Sequence, residues 1–475
     1  LHVWDEVPER FREIIRKEYV VVQGAKEPES GSGIADGWNS CTIGDLCDAG
    51  IVELQTGPFG TQLHAHDYVE DGVPVVPTEA IRNRQIDHSV LPKVASGKAE
   101  ELARHRLERG DILFARRGVQ ATGHIGCVRE AEEGFLCGTG AIRLRVREGG
   151  RSVNPDFLSH VLANPASVEW FKFHAIGATM PNLNEGIIRS FPLQIPPMAE
   201  QRAVAHILGT LDDKIELNRK MNETLEATAR ALFKSWFVDF DPVRAKAESR
   251  DTGLPKPLAH LFPDSFEDSE LGEIPKGWDV ETLADFSSLN PETWSKDARP
   301  DIINYVDLSN TKWGRIEAIA TYSQQDAPSR AQRVLQPQDT IVGTVRPGNG
   351  SYAFISEDGL TGSTGFAVLR PISHIYAEFI YFAATASENI EALSHLADGG
   401  AYPAVRPEVV VATQVIRPDS DVLALFSRLT GPLVGRMAQN EHESRTLAAL
   451  LDTLLPKLIS GELRLRQLTN GRSHE

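Results

Sequence analysis

The chain repeats itself. From about Asp156 to Phe237 the first half lies on the second at a constant offset of 222 residues. Asp156-Phe157-Leu158 falls on Glu378-Phe379-Ile380, and Gly177-Ala178-Thr179-Met180-Pro181 on Gly399-Gly400-Ala401-Tyr402-Pro403. Thr224-Leu225-Glu226-Ala227 falls on Thr446-Leu447-Ala448-Ala449. Upstream the offset grows in steps. Gly138-Thr139-Gly140 meets Ser363-Thr364-Gly365 at 225, Gly110-Asp111-Ile112 meets Gln338-Asp339-Thr340 at 228, and Gly37-Trp38 meets Gly277-Trp278 at 240. Loop insertions leave such steps in a duplicated domain. The period is far longer than that of a solenoid. The pattern therefore predicts two similar modules in one polypeptide, and with them one ligand with two similar halves.

Each module is followed by a long helical pattern. In the first, one seam carries Val204, Leu208, Leu211, Ile215, Asn218, Asn222, Leu225, Ala229, Leu232 and Trp236. The spacing alternates four and three, as in a coiled-coil seam. The matching positions are Phe426, Thr430, Leu433, Met437, Asn440, Ser444, Leu447, Leu451, Leu454 and Leu458, with one apolar position lost at Thr430. Both seams are polar in the middle. Antiparallel pairing about a pseudo-twofold would bring the polar centres together and fix the register. Helices of roughly 35 residues span ~50 Å at ~1.5 Å per residue. Such a pair would hold the modules a set distance apart. The alternative is that each helix packs only on its own module.

At 475 residues the chain is too long for one core. The first 35 residues match nothing in the second half, and 27–33 read as a flexible linker. The first module is expected over 36–197 and its helix over 198–240. An acidic linker follows over 241–273, then the second module over 274–418, its helix over 419–462 and a tail over 463–475. Short β-like runs such as Val73-Pro74-Val75-Val76, Ile142-Arg143-Leu144-Arg145-Val146 and Phe366-Ala367-Val368-Leu369 make each module an α/β unit.

Net charge is -17, which argues against bulk affinity for nucleic acid. The charge is uneven, however. The segment 263–273 holds five acids and no base, whereas 104–117 holds five arginines against Glu108 and Asp111. A local basic face is compatible with an acidic chain whose non-specific binding is weak. No apolar run approaches the ~20 residues of a membrane helix. The opening Leu1-His2-Val3-Trp4-Asp5 lacks the layout of a signal peptide. Cys41, Cys47, Cys127 and Cys137 form neither a disulfide framework nor a zinc pattern, so a reducing cytoplasm is expected.

A search for catalysis finds little. The chain has no phosphate loop ending in Lys-Ser or Lys-Thr and no His-Glu-x-x-His site. His64 and His66 share a strand-like face without an evident third ligand. The Asn/Asp-Pro-Pro-aromatic loop of an amino-methyltransferase is absent, and Asn290-Pro291-Glu292 reads as a turn. As a nuclease set, Pro263-Asp264 with Glu273 and Lys276 has its last spacing one residue too long. No catalytic residue, metal site or cofactor site is expected on this chain.

Several loops suit reading rather than chemistry. Gly57-Pro58-Phe59-Gly60-Thr61-Gln62 is a turn whose amides, with Phe59 and Gln62, suit a phosphate backbone. A plain structural turn is the other reading. Arg116, Arg117, Gln120 and Thr122 sit on a Gly-bearing loop after Asp111-Ile112-Leu113-Phe114. The counterpart carries Thr344, Arg346, Asn349, Ser351 and Tyr352. Arg pairs with guanine, and Gln or Asn with adenine. A solvated loop is the alternative. The segments before the helices add Thr179, Asn182 and Asn184 in one half, and Tyr402 and Arg406 in the other. Two loops of like type and unlike residues suit two readers of different sequences.

The chain resembles the specificity subunits of type I restriction-modification systems. The resemblance rests on Gly57-Pro58-Phe59-Gly60, on Pro192-Leu193-Gln194-Ile195-Pro196-Pro197 with Glu200-Gln201, and on Ala231-Leu232-Phe233-Lys234-Ser235-Trp236-Phe237-Val238-Asp239-Phe240. It extends to Leu271-Gly272-Glu273-Ile274-Pro275-Lys276-Gly277-Trp278 and Leu454-Leu455-Pro456-Lys457-Leu458-Ile459-Ser460-Gly461, covering about 36–466. It implies an α/β (α+β) fold of two target-recognition domains separated by two long helices in an antiparallel coiled coil. It also implies a non-catalytic chain that reads the two halves of an asymmetric site in double-stranded DNA. Modification subunits would carry S-adenosylmethionine, and restriction subunits ATP and magnesium. A fused methyltransferase-nuclease and a protein-interaction scaffold are the alternatives. The second module departs from the pattern. It has Pro291-Glu292-Thr293-Trp294 near the place of Gly-Pro-Phe-Gly, and Val415-Ile416-Arg417-Pro418 where the first has Pro-Pro…Glu-Gln.

Overall fold

A computed structural model describes residues 19–23, 37–82, 84–147, 151–177, 179–295, 298–400 and 402–467. The chain forms two units. One runs to Glu216 and resumes at Ser444; the other is Leu217–Glu443.

The first unit is built on a four-stranded antiparallel sheet in the order Ile125–Cys127, Ile112–Ala115, Ala141–Val146, Val52–Thr56. Ile112, Leu113, Phe114 and Ala115 are all buried, because the sheet has a core on each face. Alternation in the next strand sends Ile142 and Leu144 to one core and Arg143 and Arg145 to the other side. A second sheet runs Leu136–Cys137, Val73–Val76, Lys93–Val94, Tyr68–Val69, with its first pair parallel. Helices Pro155–Ala163, Pro165–His174 and Glu185–Arg189 follow, each opened by an asparagine whose side chain accepts an amide hydrogen from the first turn.

The second unit repeats the order of the main sheet. Its first sheet runs Tyr352–Phe354, Thr340–Gly343, Phe366–Pro371, Ser287–Leu289, again antiparallel. Its second runs Ala320–Ser323, Ile302–Val306, Leu360–Ser363, Ala331–Val334, with a parallel pair at its centre. Helices Ala377–Ala384, Ser387–Leu396 and Pro407–Val411 follow. A buried ion pair recurs in both units. Arg145 Nε and Nη2 donate to Asp111 at 2.7 and 2.6 Å, and Arg370 Nε and Nη2 to Asp339 at 2.9 Å each. The same aspartates accept from the Glu108 and Gln336 amides at 2.8 Å. The carboxylate thus has a two-pronged cation and a backbone donor, which satisfies it away from water.

The long helices are Met198–Phe237 and Ser420–Ile459, 40 residues each. The alternative in which each packs only on its own module does not hold. In the first unit, Val204, Leu208 and Leu211 share a core with Leu447, Leu454 and Leu458. In the second, Phe233, Trp236 and Phe237 share one with Val422 and Phe426. The polar seam residues meet as the spacing predicts. Asn218 Nδ2 donates to the Asn440 carbonyl at 3.2 Å and Asn222 Nδ2 to that of Met437 at 3.1 Å. Asn440 Nδ2 donates to Asn222 Oδ1 at 2.8 Å. Residue numbers rise along one helix as they fall along the other. Thr430, where the seam loses an apolar side chain, is buried with its hydroxyl bonded to the Phe426 carbonyl at 2.8 Å.

Two segments differ from the sequence-based expectation. The stretch expected as an acidic linker over 241–273 is folded. It contains the helices Asp241–Ala247 and Lys256–Ala259 and the start of a hairpin, Phe266–Ser269 with Gly272–Pro275. Val243 and Phe262 anchor it in the core of the second unit. Composition advertised the exposed acids and hid these two apolar anchors. The expected tail over 463–475 opens as a strand, Leu463–Gln467, antiparallel to Tyr19–Gln23. Tyr19–Gln23 is the one described part of the expected extension over 1–35; the linker at 27–33 and residues 468–475 lie outside the described residues.

Candidate nucleic-acid interface

Three segments of the first unit gather at one end of its main sheet. Strand Val52–Thr56 ends in the Gly-Pro-Phe-Gly turn, and Ile112–Ala115 ends in the Arg116 loop. Both flank the start of Ala141–Val146: the Gly57 amide donates to the Ala141 carbonyl at 2.9 Å and the Arg116 amide to that of Gly140 at 2.9 Å. The segment 176–184 closes the cluster. Asn182 makes antiparallel bridges to both Arg117 and Ile176. The Leu183 amide donates to the Arg116 carbonyl at 2.7 Å, and Arg116 Nε to Asn182 Oδ1 at 3.0 Å.

The second unit repeats this arrangement. Ala404 bridges to Val345 and Asp398. The Thr344 amide donates to Gly365 at 2.8 Å, and the Val405 amide to Thr344 at 2.9 Å. Thr344 therefore stands where Arg116 stands in the first unit, and Val345, bridged to Ala404, stands where Arg117 does. Arg346 has left-handed backbone, φ 48°, and its guanidinium lies 4.9 Å from the Tyr402 ring centre. The first unit joins its two loops by an Arg–amide hydrogen bond; the second does so by an Arg–aromatic stack.

The sequence-selected residues divide into two groups. Phe59, Gly60, Arg117, Gln120, Thr179, Asn184, Arg346, Asn349, Tyr402 and Arg406 are exposed. Arg116, Gln62 and Asn182 are half-buried. The other five are buried, with structural contacts. A Cβ on Gly57 would lie 1.9 Å from the Gly138 carbonyl oxygen, so only glycine fits. Thr122 Oγ1 donates to Gly118 at 2.7 Å, Thr344 Oγ1 to Gly365 at 2.9 Å and Ser351 Oγ to Leu308 at 3.0 Å. Tyr352 is enclosed beside Arg230, and burial pushes its phenol up. Gln62 Oε1 accepts from the Phe59 amide at 3.1 Å and from Arg104 at 3.3 Å, and so ties the turn to the arginine-rich segment. Asn184 caps the following helix through the Ile187 amide at 2.9 Å.

Where the second unit departs from Gly-Pro-Phe-Gly, it makes no matching open turn. Thr293 bridges to Arg333, and the Trp294 indole donates to Thr361 at 3.2 Å. The segment is bound to the edge of the second sheet. Sequence reasoning missed the exposed apolar residues around both loop clusters: Val119, Phe173, Ile176 and Met180 in the first unit, and Trp313 and Leu396 in the second. Each looks like ordinary strand or helix filling until the fold shows it facing outward. Among the described residues, no group of three or more His, Cys, Asp or Glu could hold a metal ion, and no helix is long and apolar enough to cross a membrane.

Residues 35–227 match the type I restriction modification DNA specificity domain family. The HindI specificity subunit of Haemophilus influenzae is 27% identical over 451 residues, covering 82% of this chain and 94% of that protein. The chain is thus similar to type I restriction enzyme specificity subunits over most of its length. The MjaIX specificity subunit of Methanocaldococcus jannaschii is 24% identical over 68% of this chain and 74% of its own length. The crystal structure of the type I restriction-modification S subunit from M. genitalium superposes with a TM-score of 0.54 at 15% identity, over 92% of this chain and 99% of that one. That likeness establishes a shared fold. The family match covers the first module and most of the first long helix; the H. influenzae relative extends the similarity across most of the chain.

Proposed function

We propose that the chain is the non-catalytic DNA-specificity subunit of a type I restriction-modification complex, and that its two units read the two halves of a bipartite, asymmetric site. The observation that carries this is the paired loop cluster. The same two loops meet at the same end of a sheet of the same order in both units, with different side chains. A duplicated reader of two unlike half-sites needs this combination. Phe59, Gln62, Arg116, Arg117, Gln120, Thr179, Asn182 and Asn184 contact DNA in one half, and Arg346, Asn349, Tyr402 and Arg406 in the other, with Gly60 leaving its turn open to a phosphate. Gly57, Thr122, Thr344, Ser351 and Tyr352 hold these loops in shape.

The two target-recognition domains span 36–197 and 274–418. The long helices form an antiparallel coiled coil about a pseudo-twofold axis and set the gap between the half-sites. Modification and restriction subunits dock on the chain and carry the S-adenosylmethionine, ATP and magnesium chemistry. The complex works in the cytoplasm. The test is single-molecule sequencing of genomic DNA from cells carrying this chain with its modification partner. A split motif methylated on adenine, and lost without this chain, is expected. An assembled, active complex that leaves no such motif sinks the reading in favour of a protein-interaction scaffold.

A further inference from the structure

Trp313 lies at the tip of a small hairpin, Thr311–Lys312 with Arg315–Ile316, in the second unit. Its backbone is left-handed, φ 48°, a region that bulky side chains rarely adopt. The residue is 56% exposed, although tryptophan is highly buried on average. Both features are unfavourable for a residue that merely fills space.

The indole is nevertheless held in place. A Cβ on Gly350 would lie 2.5–2.7 Å from its ring atoms, so the glycine backbone packs directly against the ring. The Trp313 amide donates to the Gly350 carbonyl at 2.6 Å. The Tyr352 ring meets it edge-on, with centroids 6.0 Å apart. One side of the indole rests on the Arg346 loop and the rest faces solvent. A ring ordered beforehand loses little conformational freedom on binding.

The support is part of the candidate interface. Pro347–Asn349 connects Arg346, stacked on Tyr402, to Gly350 beneath Trp313. Arg346 has left-handed backbone as well. Exposed Lys312 and Arg315 flank the tip, and Arg315 is paired with Glu223 at 3.2 Å. An outward aromatic face beside cationic side chains suits a partner with both flat apolar surfaces and negative charge, and nucleic acid has both.

We propose that Trp313 is a specificity-determining residue of the second unit, whose indole wedges into a base step at the edge of its half-site and stacks on the base it uncovers. The inference rests on the DNA-reading function proposed above. Stacking supplies apolar contact without neutralising a phosphate, so its loss should weaken binding without changing the salt dependence.

The test uses the chain assembled with its modification partner and a pool of randomised duplexes. The wild-type complex should select a split motif; selection of none overturns the DNA-reading function and this inference with it. With the selected duplex as probe, Trp313→Ala should bind roughly tenfold more weakly, at an unchanged salt slope, and should lose base preference in one half-site alone. Trp313→Phe should recover much of the loss. Unchanged affinity and motif for a folded Trp313→Ala complex overturn the role of Trp313 and leave the wider function standing. Should that variant fail to fold, photocrosslinking of the wild-type complex to duplexes carrying 5-iodouracil decides. Adducts on the peptide containing Trp313 support stacking, and adducts confined to other peptides refute it.

Discussion

Gly57 and Gly60 belong to one turn and face opposite constraints. At Gly57 a methyl group would collide with the Gly138 carbonyl, whereas nothing lies within 4 Å of a Cβ at Gly60. Gly57→Ala should therefore destabilise the first unit by about 1–3 kcal/mol, as overpacking does. Gly60→Ala should leave the thermal midpoint unchanged. Equal midpoints for the two variants would mean that the turn gives way at Gly57. The same contrast separates loop-shaping residues from candidate readers. Thr122 and Ser351 are buried with their hydroxyls on backbone carbonyls, while Arg117, Gln120 and Asn349 are exposed.

At the scale of elements, the helices carry the most specific expectation. Forty residues in unbroken α-helix are about 60 Å long at ~1.5 Å per residue. Asn218 and Asn440 sit almost fully buried in the seam. Each has its amide bonded across to the other helix, so a slipped register would leave buried amides unpaired. Removing one heptad from each helix should keep the seam in phase and shorten the gap in the methylated motif, as read by single-molecule sequencing. An unchanged gap would show that the helices do not act as the ruler. The loop pairs are held just as tightly. Asn182 and Ala404 make the same two bridges in their respective units, yet one junction is an amide bonded to Arg116 and the other leads to an aromatic stacked on Arg346. A fixed backbone with exchangeable side chains lets one fold present different chemistry to each half of a ligand.

At the scale of the whole molecule, the two units differ in what lies beneath a small hairpin, Ile81–Arg82 with Gln85–Ile86 in the first and Thr311–Lys312 with Arg315–Ile316 in the second. In the first, Arg84 has left-handed backbone, φ 60°, and turns inward to Ser159 at 3.1 and 3.0 Å and to Asp212 of the long helix. His160 is buried beside this pair, and burial followed by the Arg84 charge holds its imidazole well below the ordinary histidine range. Burial and the neighbouring Arg104 hold His105 down to about 4. Both are neutral in the folded chain and take up protons once it unfolds. Their contribution to stability is complete above a pH of about 6.5 and declines as pH falls below it. The thermal midpoint should thus drop between pH 7.5 and 5. His160→Phe, which installs the residue found at the matching Phe382, should flatten part of that decline. Parallel curves for the two proteins would remove His160 as a source.

The sequence alone determined the duplication, the two long helices, the polar centre of their seam and the location of the loop pairs. All of these are periodicities or repeats, and periodicity follows from geometry local to the chain. Only the tertiary structure decided which loop residues face outward. Thr122 and Gln120 stand two residues apart in one loop, yet one is buried and the other exposed, because the partner surface comes from residues about 60 positions away at Pro181. The same reason hid the folded connector, where Val243 and Phe262 find their core among distant residues. It also hid Trp313, whose support is Gly350 on another strand pair. Burial depends on contacts between distant segments, and these exist only once the chain has folded.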